Sequence, residues 1–324
     1  MQSCHLENCS FSEWYRKYWK FTFKSIVVPL PQEFISFLKS DSIIIPSGPT
    51  TDNFSDSESC SDQSEDDKGD FDQQTQFAPL LQKITESIAL LGGCAFPKLN
   101  WSSPKDAKWI TCTNTLKCVT ATDVLLLLKS SDFISHDLNF AFNACVDQNT
   151  SYPTTYNFTL ILREWIDVNM ANEYRCFVDP QKGLLGVCQR DTANHYAFNC
   201  DPREKANVLL EINEFIMGNI GDLHRDGARF VVDLVFRDSR QLNICDFAVF
   251  GGATDSLLYE WEEFETDIEV EVRVVEKWTN SLAANEPAYS TNRIPKDLFD
   301  FAQDSSSTAE MIERFRSACV NNQI

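Results

Sequence analysis

Residues 229–250 read RFVVDLVFRDSRQLNICDFAVF. Two apolar runs, 229–237 and 242–250, flank a short polar turn, and each carries one acid in its middle, Asp233 and Asp246. Runs that are hydrophobic on both faces are what strands covered on each side require. With Ser239 and Arg240 as a two-residue turn, residues whose numbers sum to 479 face each other, and Asp233 and Asp246 are such a pair. Their Cβ atoms would then sit ~5 Å apart on one face. A loop one residue longer would send them to opposite faces. Two ionised carboxylates that close repel, so they must be protonated, bridged by a cation or neutralised by a metal. Oxygen ligands on a rigid sheet suit Mg²⁺, which takes one or two carboxylates together with phosphate oxygens and water. A purely structural network with Arg229, Arg237 or Arg190 is the alternative.

Working outward, cations recur inside apolar segments. Lys98 ends the strand-like stretch that begins at Cys94, and Lys117 stands in Thr115-Leu-Lys-Cys. Arg163, Arg175 and Arg190 lie in or beside further β-rich stretches. A lysine in an apolar strand needs an anion, and guanidinium groups grip phosphate in pairs of hydrogen bonds. Acids suited to Mg²⁺ plus embedded cations are the inventory of a nucleoside triphosphate site.

The remaining chain alternates strand and helix signals. Helical spacing runs over 78–91 and is closed by Gly92 and Gly93. A short strand is expected at Trp109-Ile-Thr, and a helix capped by Thr122 is expected to run to Lys129. Residues 156–165 are β-rich, and 173–178 and 184–189 form a hairpin around Asp-Pro-Gln-Lys-Gly. Asp201-Pro202 opens an amphipathic helix to about Met217. Strands interrupted by helices give an α+β or mixed class, not a barrel.

Composition sets bounds on function. The 324 residues carry a net charge of −20, which disfavours sequence-independent nucleic-acid binding. Residues 51–72 hold nine acids and one lysine and read as a disordered acidic insert. Within it Ser55, Ser59 and Ser64 each have an acid three residues on, the pattern of acidophilic kinase sites. The run 260–271 adds seven acids and no base. No apolar run approaches the ~20 residues of a bilayer span, and the N-terminus lacks the apolar core of a secretory signal. The 12 cysteines contain no Cys-x2-Cys pair, so they are expected to be reduced, buried residues of a cytoplasmic protein. His5, His136, His195 and His224 sit in no motif.

Several blocks resemble the cell division cycle protein 123 family: Cys9-Ser-Phe-Ser-Glu-Trp-Tyr, Pro29-Leu-Pro, Phe96-Pro-Lys-Leu-Asn-Trp-Ser-Ser-Pro-Lys-Asp-Ala, Tyr174-Arg-Cys-Phe-Val, Gln189-Arg-Asp, Arg237-Asp-Ser-Arg, Asp246-Phe, Thr254-Asp-Ser-Leu-Leu and Arg293-Ile-Pro-Lys-Asp. The resemblance covers about residues 9–300 without the acidic insert. It implies an α+β, ATP-grasp-like fold of two lobes with a nucleotide cleft between them. The division would be an N-terminal element (1–50), the insert (51–74), a first lobe (75–165), a second lobe (166–300) and a C-terminal tail or helix (301–324). It also implies a monomeric assembly factor, neither nucleic-acid- nor membrane-bound, for eukaryotic translation initiation factor 2, whose gamma subunit it would bind to promote joining with the alpha subunit.

By the same resemblance, ATP and Mg²⁺ are the cofactors. Lys98 and Lys117 would contact phosphate and adenine-side groups, and Asn100, Trp101 and Ser102 would form the phosphate-covering loop. Arg163, Glu164 and Trp165 would form the inter-lobe hinge whose backbone meets adenine, Arg175 and Arg190 would face phosphates, and Asp233 and Asp246 would ligate Mg²⁺. One departure stands out: the family pattern Asp-Phe-Asn-Pro-Phe-Gly-Glu is Asp246-Phe-Ala-Val-Phe-Gly-Gly here. Ala248 thus replaces an Asn that would supply a third oxygen from the same strand face. Two other readings therefore stay open, an ATP-grasp ligase or kinase-like enzyme and a scaffold with weakened nucleotide binding.

Overall fold

The computed structural model describes residues 1–40, 67–147, 156–220, 223–224, 226–237, 239–266 and 269–277. Its framework is two sheets, each with its own apolar core. The smaller sheet has the order β1-β3-β2, from Ser25–Pro29, Thr159–Glu164 and Ala95–Lys98, antiparallel throughout. Helices α3 (Gln32–Lys39), α4 (Asp67–Leu90), α5 (Ala121–Lys129) and α6 (Asp132–Phe140) supply most of its core, with Phe34, Ile84, Val124 and Ile134 fully or almost fully buried. Helix α4 starts at Asp67, ahead of the apolar periodicity and inside the stretch expected as an insert; residues 51–66 lie outside the described residues.

Two local expectations are corrected. Trp109 stands in a 3-10 helix, Lys105–Ile110, not in a strand. Pro104 opens that turn, and the carboxylate of Asp106 ties it to α6 by accepting from Ser131 Oγ (2.6 Å) and Asp132 N (2.7 Å). Thr120, not Thr122, caps α5: its hydroxyl accepts from Asp123 N while the Asp123 carboxylate accepts from Thr120 N, a reciprocal capping box.

The larger sheet has the order β7-β6-β4-β5-β8, from Leu242–Val249, Phe230–Phe236, Glu173–Asp179, Gly183–Gln189 and Val272–Arg273. The hairpin expected at 173–189 is β4–β5. One face packs on α7 (Pro202–Asn219), capped by Asp201 as the sequence indicates, and on α1 (Ser3–Asn8) and α2 (Phe11–Tyr18). The N-terminal element is thus shared between the cores: α1 and α2 serve the larger sheet, while β1 and α3 serve the smaller. The C-terminal stretch 301–324 lies outside the described residues.

Hairpin β6–β7 is where register matters. Next to the turn, Phe236 faces Leu242 and Leu234 faces Ile244, one residue out of the two-residue-turn register. The loop is longer than assumed: Arg237 N donates to Gln241 O, Arg240 N donates to Arg237 O, and Arg240 is left-handed at φ 57°. That is a three-residue loop with its last residue in the left-handed region. Left uncorrected it would separate the acids. A β-bulge that leaves Cys245 without an opposite number shifts the register back, and Asp233 faces Asp246.

Candidate functional site

The bulge puts Asp233 and Asp246 on the sheet face that also carries Arg175, two strand positions from the buried Phe177. Arg175 grips Asp233 with two parallel bonds, Nε to Oδ1 and Nη2 to Oδ2, both 2.8 Å. Arg190, just past β5, adds Nε to Oδ2 at 3.1 Å. Burial alone would raise the Asp233 carboxyl pKa; the two guanidinium groups outweigh it and hold the group well below the usual carboxylate range. The Nζ of Lys98, a side chain only 1% exposed, donates to Asp246 Oδ2 at 2.5 Å. Burial lowers the Lys98 pKa and Asp246 opposes that shift. Asp246 Oδ1 also accepts from Phe247 N (3.1 Å).

Arg175, Arg190, Asp233 and Asp246 border a cavity of about 350 Å³ whose walls also include Trp101, Ser102 and Lys105, with Lys98 behind Asp246. A cavity of about 410 Å³ lies beside the hairpin turn, among Tyr174, Glu204, Phe236 and Arg240. It has no facing carboxylates, and its Arg240 is paired with Glu204 and Glu211. The cavity with the acids is therefore the candidate site.

The expected site residues divide in three. Lys98, Arg175, Arg190, Asp233 and Asp246 come together, with Trp101 and Ser102 on the cavity wall. Asn100 stands behind them and is fully buried: it donates to Ser10 Oγ and accepts from Thr159 N, while its carbonyl accepts from Phe11 N, joining α2 to β3. Lys117 is exposed 6.0 Å over the Trp165 ring, and Glu164 accepts from Lys24 N. Lys117, Glu164 and Trp165 do not line the cavity.

Arg163 is a special case. Its guanidinium leaves β3 and reaches the bulge, donating Nη1 to Cys245 O (2.7 Å), Nη2 to Thr22 Oγ1 (3.0 Å) and Nη2 to Ile244 O (3.4 Å). It lies between the rings of Phe11 and Phe23. The residue expected at a hinge thus ties the two sheets together and holds the two carbonyls that precede Asp246.

Two residues of the site were missed in the sequence. Asp137 on α6 accepts from Ser102 N (2.7 Å) and Ser102 Oγ (2.8 Å) and so fixes the 99–102 loop, which Leu99 N closes onto Ser102 O. Burial pushes the Asp137 carboxyl pKa up to about 6 even against those bonds. The available signal was an acid at the apolar spacing of Ile134 and Leu138. Lys105 lowers into the same charge field; burial and then the positive charge of Arg190 depress its pKa. It sits inside the quoted 96–107 block and was readable there only as another surface lysine. Three of the histidines stand outside the site: His5 pairs with Asp226 (2.7 Å), His195 meets Val275 O, and burial, then His5, lowers the pKa of buried His224 to about 4; His136 lines the cavity.

The D123 family model matches residues 14–302. The chain belongs to the D123 family. Among family relatives, "Cell division cycle protein 123" of Yarrowia lipolytica is 35% identical over 95% of this chain and 82% of its own length. "Translation initiation factor eIF2 assembly protein" of Schizosaccharomyces pombe is 36% identical over 95% and 94%, and its namesake in Danio rerio 36% over 93% and 90%. The solved structure of Cdc123 from Schizosaccharomyces pombe is 34% identical, superposes with a TM-score of 0.68, and is covered over 99% of its length by 86% of this chain. The mixed α+β architecture is thereby that of the family. No described helix is long and apolar enough to cross a membrane.

Proposed function

We propose that this chain is an assembly factor for eukaryotic translation initiation factor 2 that binds Mg-ATP in an ATP-grasp-like cleft and engages the gamma subunit. The observation that carries the assembly reading is relatedness along nearly the whole length to proteins named for that role. The gamma subunit as the docking partner is the expectation that the resemblance brings.

The nucleotide reading rests on the cavity chemistry. The donor set fits a Mg-triphosphate: two facing carboxylates for the metal, and Lys98, Lys105 and Arg190 around them for phosphate oxygens. Asp233 and Asp246 would hold Mg²⁺, which supplies charge neutralisation to the phosphates when bound. Trp101 and Ser102, fixed by Asp137, would cover the phosphate end and exclude water. Ala248 borders the same cavity and offers no oxygen, so the metal would take water there. That residue, with acids already paired to cations, favours as second reading a scaffold whose nucleotide binding is weak.

Mixing the purified full-length chain with the gamma and alpha subunits tests the assembly role. We expect stable capture of gamma and a higher yield of the gamma–alpha complex. Gamma that stays unbound, with gamma–alpha yield unchanged, would refute it.

A further inference from the structure

The acids of the cleft are not waiting for a metal with free charge. A carboxylate offers about four lone-pair sites. On Asp233 the Arg175 fork takes one on each oxygen and Arg190 Nε takes another on Oδ2. On Asp246, Lys98 Nζ holds Oδ2 and Phe247 N holds Oδ1. Arg190 lines the cavity itself, and Lys98 stands directly behind Asp246, which lines it.

We propose that Lys98 and Arg190 act as exchangeable counter-ions, so that the metal and the nucleotide bind this cleft only together. This rests on the nucleotide reading above. A divalent ion arriving alone must displace Lys98 from Asp246, leaving an ammonium that is 1% exposed without its anion. A buried charge stripped of its partner is strongly unfavourable. A triphosphate arriving alone must draw Lys98 and Arg190 away and leave Asp246 without its cation, facing an Asp233 that keeps only Arg175. When both arrive, the cations pass to phosphate oxygens, the acids pass to the metal, and no charge is left unpaired. Arg175 keeps its place: its fork is buried, its third donor, Nη1, is fixed on Asp255 O at 2.6 Å, and it leaves one lone pair of Asp233 Oδ1 open. The exchange is therefore assigned to Arg190, the more exposed of the two arginines, and to Lys98.

Linkage requires that the effect of metal on nucleotide affinity equal the effect of nucleotide on metal affinity. The full-length chain would be titrated with Mn²⁺ alone, followed by paramagnetic resonance, with ATP in excess chelator, and with ATP plus Mg²⁺. The expected result is saturable binding of the pair, with each component alone weaker by at least about a hundredfold. Arg190→Met frees a lone pair of Asp233, so Mn²⁺ binding without nucleotide should strengthen about tenfold or more while Mg-ATP binding weakens. Lys98→Met should do the same at Asp246, and thermal melting of each variant reports whether it is folded. Equal ATP affinity with and without metal, or wild-type Mn²⁺ binding that nucleotide does not improve, overturns the proposal and leaves the nucleotide reading standing. A folded wild type that binds none of the three mixtures sinks both. If neither variant folds, the wild-type titrations decide by themselves.

Discussion

Asp137 carries a consequence that its neighbours do not. It is buried against Ser102, and its carboxyl pKa rises from 3.8 to about 6, with burial as the leading cause. The folded state therefore holds this proton more tightly than the unfolded chain. The contribution to stability is fully present below about pH 4 and is lost as pH rises through about 6. Asp137→Asn removes that titration. Urea unfolding of the two proteins across pH 4 to 8 should show wild type losing ground to the variant as pH rises, by roughly 3 kcal/mol at most. A difference that does not change with pH would mean that the carboxyl titrates normally.

At the scale of elements, the β6–β7 hairpin shows what the sequence could and could not specify. The two strands, their acids and the shared face were legible, because apolar runs with one central acid leave few placements. The loop length was not, because no glycine marks the left-handed position that Arg240 takes. Nor was the Cys245 bulge, which depends on a guanidinium from another sheet. Two errors of one residue cancelled, so the pairing of Asp233 with Asp246 was right for an incomplete reason. The capping of α5 was missed similarly: Thr120 and Thr122 both look suitable, and only the Asp123 contact distinguishes them. The β4–β5 hairpin permits a direct test of packing. A Cβ on Gly186 would lie 2.8 Å from Tyr259 Cζ and Oη, and that ring is fully buried with its hydroxyl on Glu271 O. Gly186→Ala should cost roughly 1–3 kcal/mol through overpacking, read as a lower denaturant midpoint. An unchanged midpoint would show that Tyr259 can move aside.

Across the whole molecule, Arg163 links the smaller sheet to the larger at the bulge itself. Site geometry and sheet-to-sheet contact are consequently one property. Arg163→Met keeps an apolar side chain but removes the guanidinium over the Phe11 and Phe23 rings, and with it the donors to Cys245 O and Ile244 O. It should lower stability by roughly 2–4 kcal/mol, since hydrogen bonds from a charged group are lost and Cys245 O loses this donor, while Ile244 O keeps its bond from Thr22 Oγ1. It should also weaken Mg-ATP binding, because Asp246 loses its support, although Arg163 itself directs its donors away from the cavity. Loss of stability with full binding would contradict the positioning role. Of the twelve residues expected at the site, those on the larger sheet were legible because charge inside an apolar strand is conspicuous. Glu164 and Trp165 followed from resemblance alone, Lys117 also from its apolar neighbours, and all three stand apart from the cavity.

The role proposed for Asp233 and Asp246 is to gather a divalent ion onto a triphosphate. Calorimetric titration of Mg-ATP into wild type, Asp233→Ala and Ala248→Asn tests it most directly. One saturable site is expected in wild type, with its loss in Asp233→Ala and tighter binding in Ala248→Asn, where a side-chain oxygen would replace water on the metal. A folded wild type that takes up no Mg-ATP, or an Asp233→Ala variant that binds as well as wild type, would contradict it.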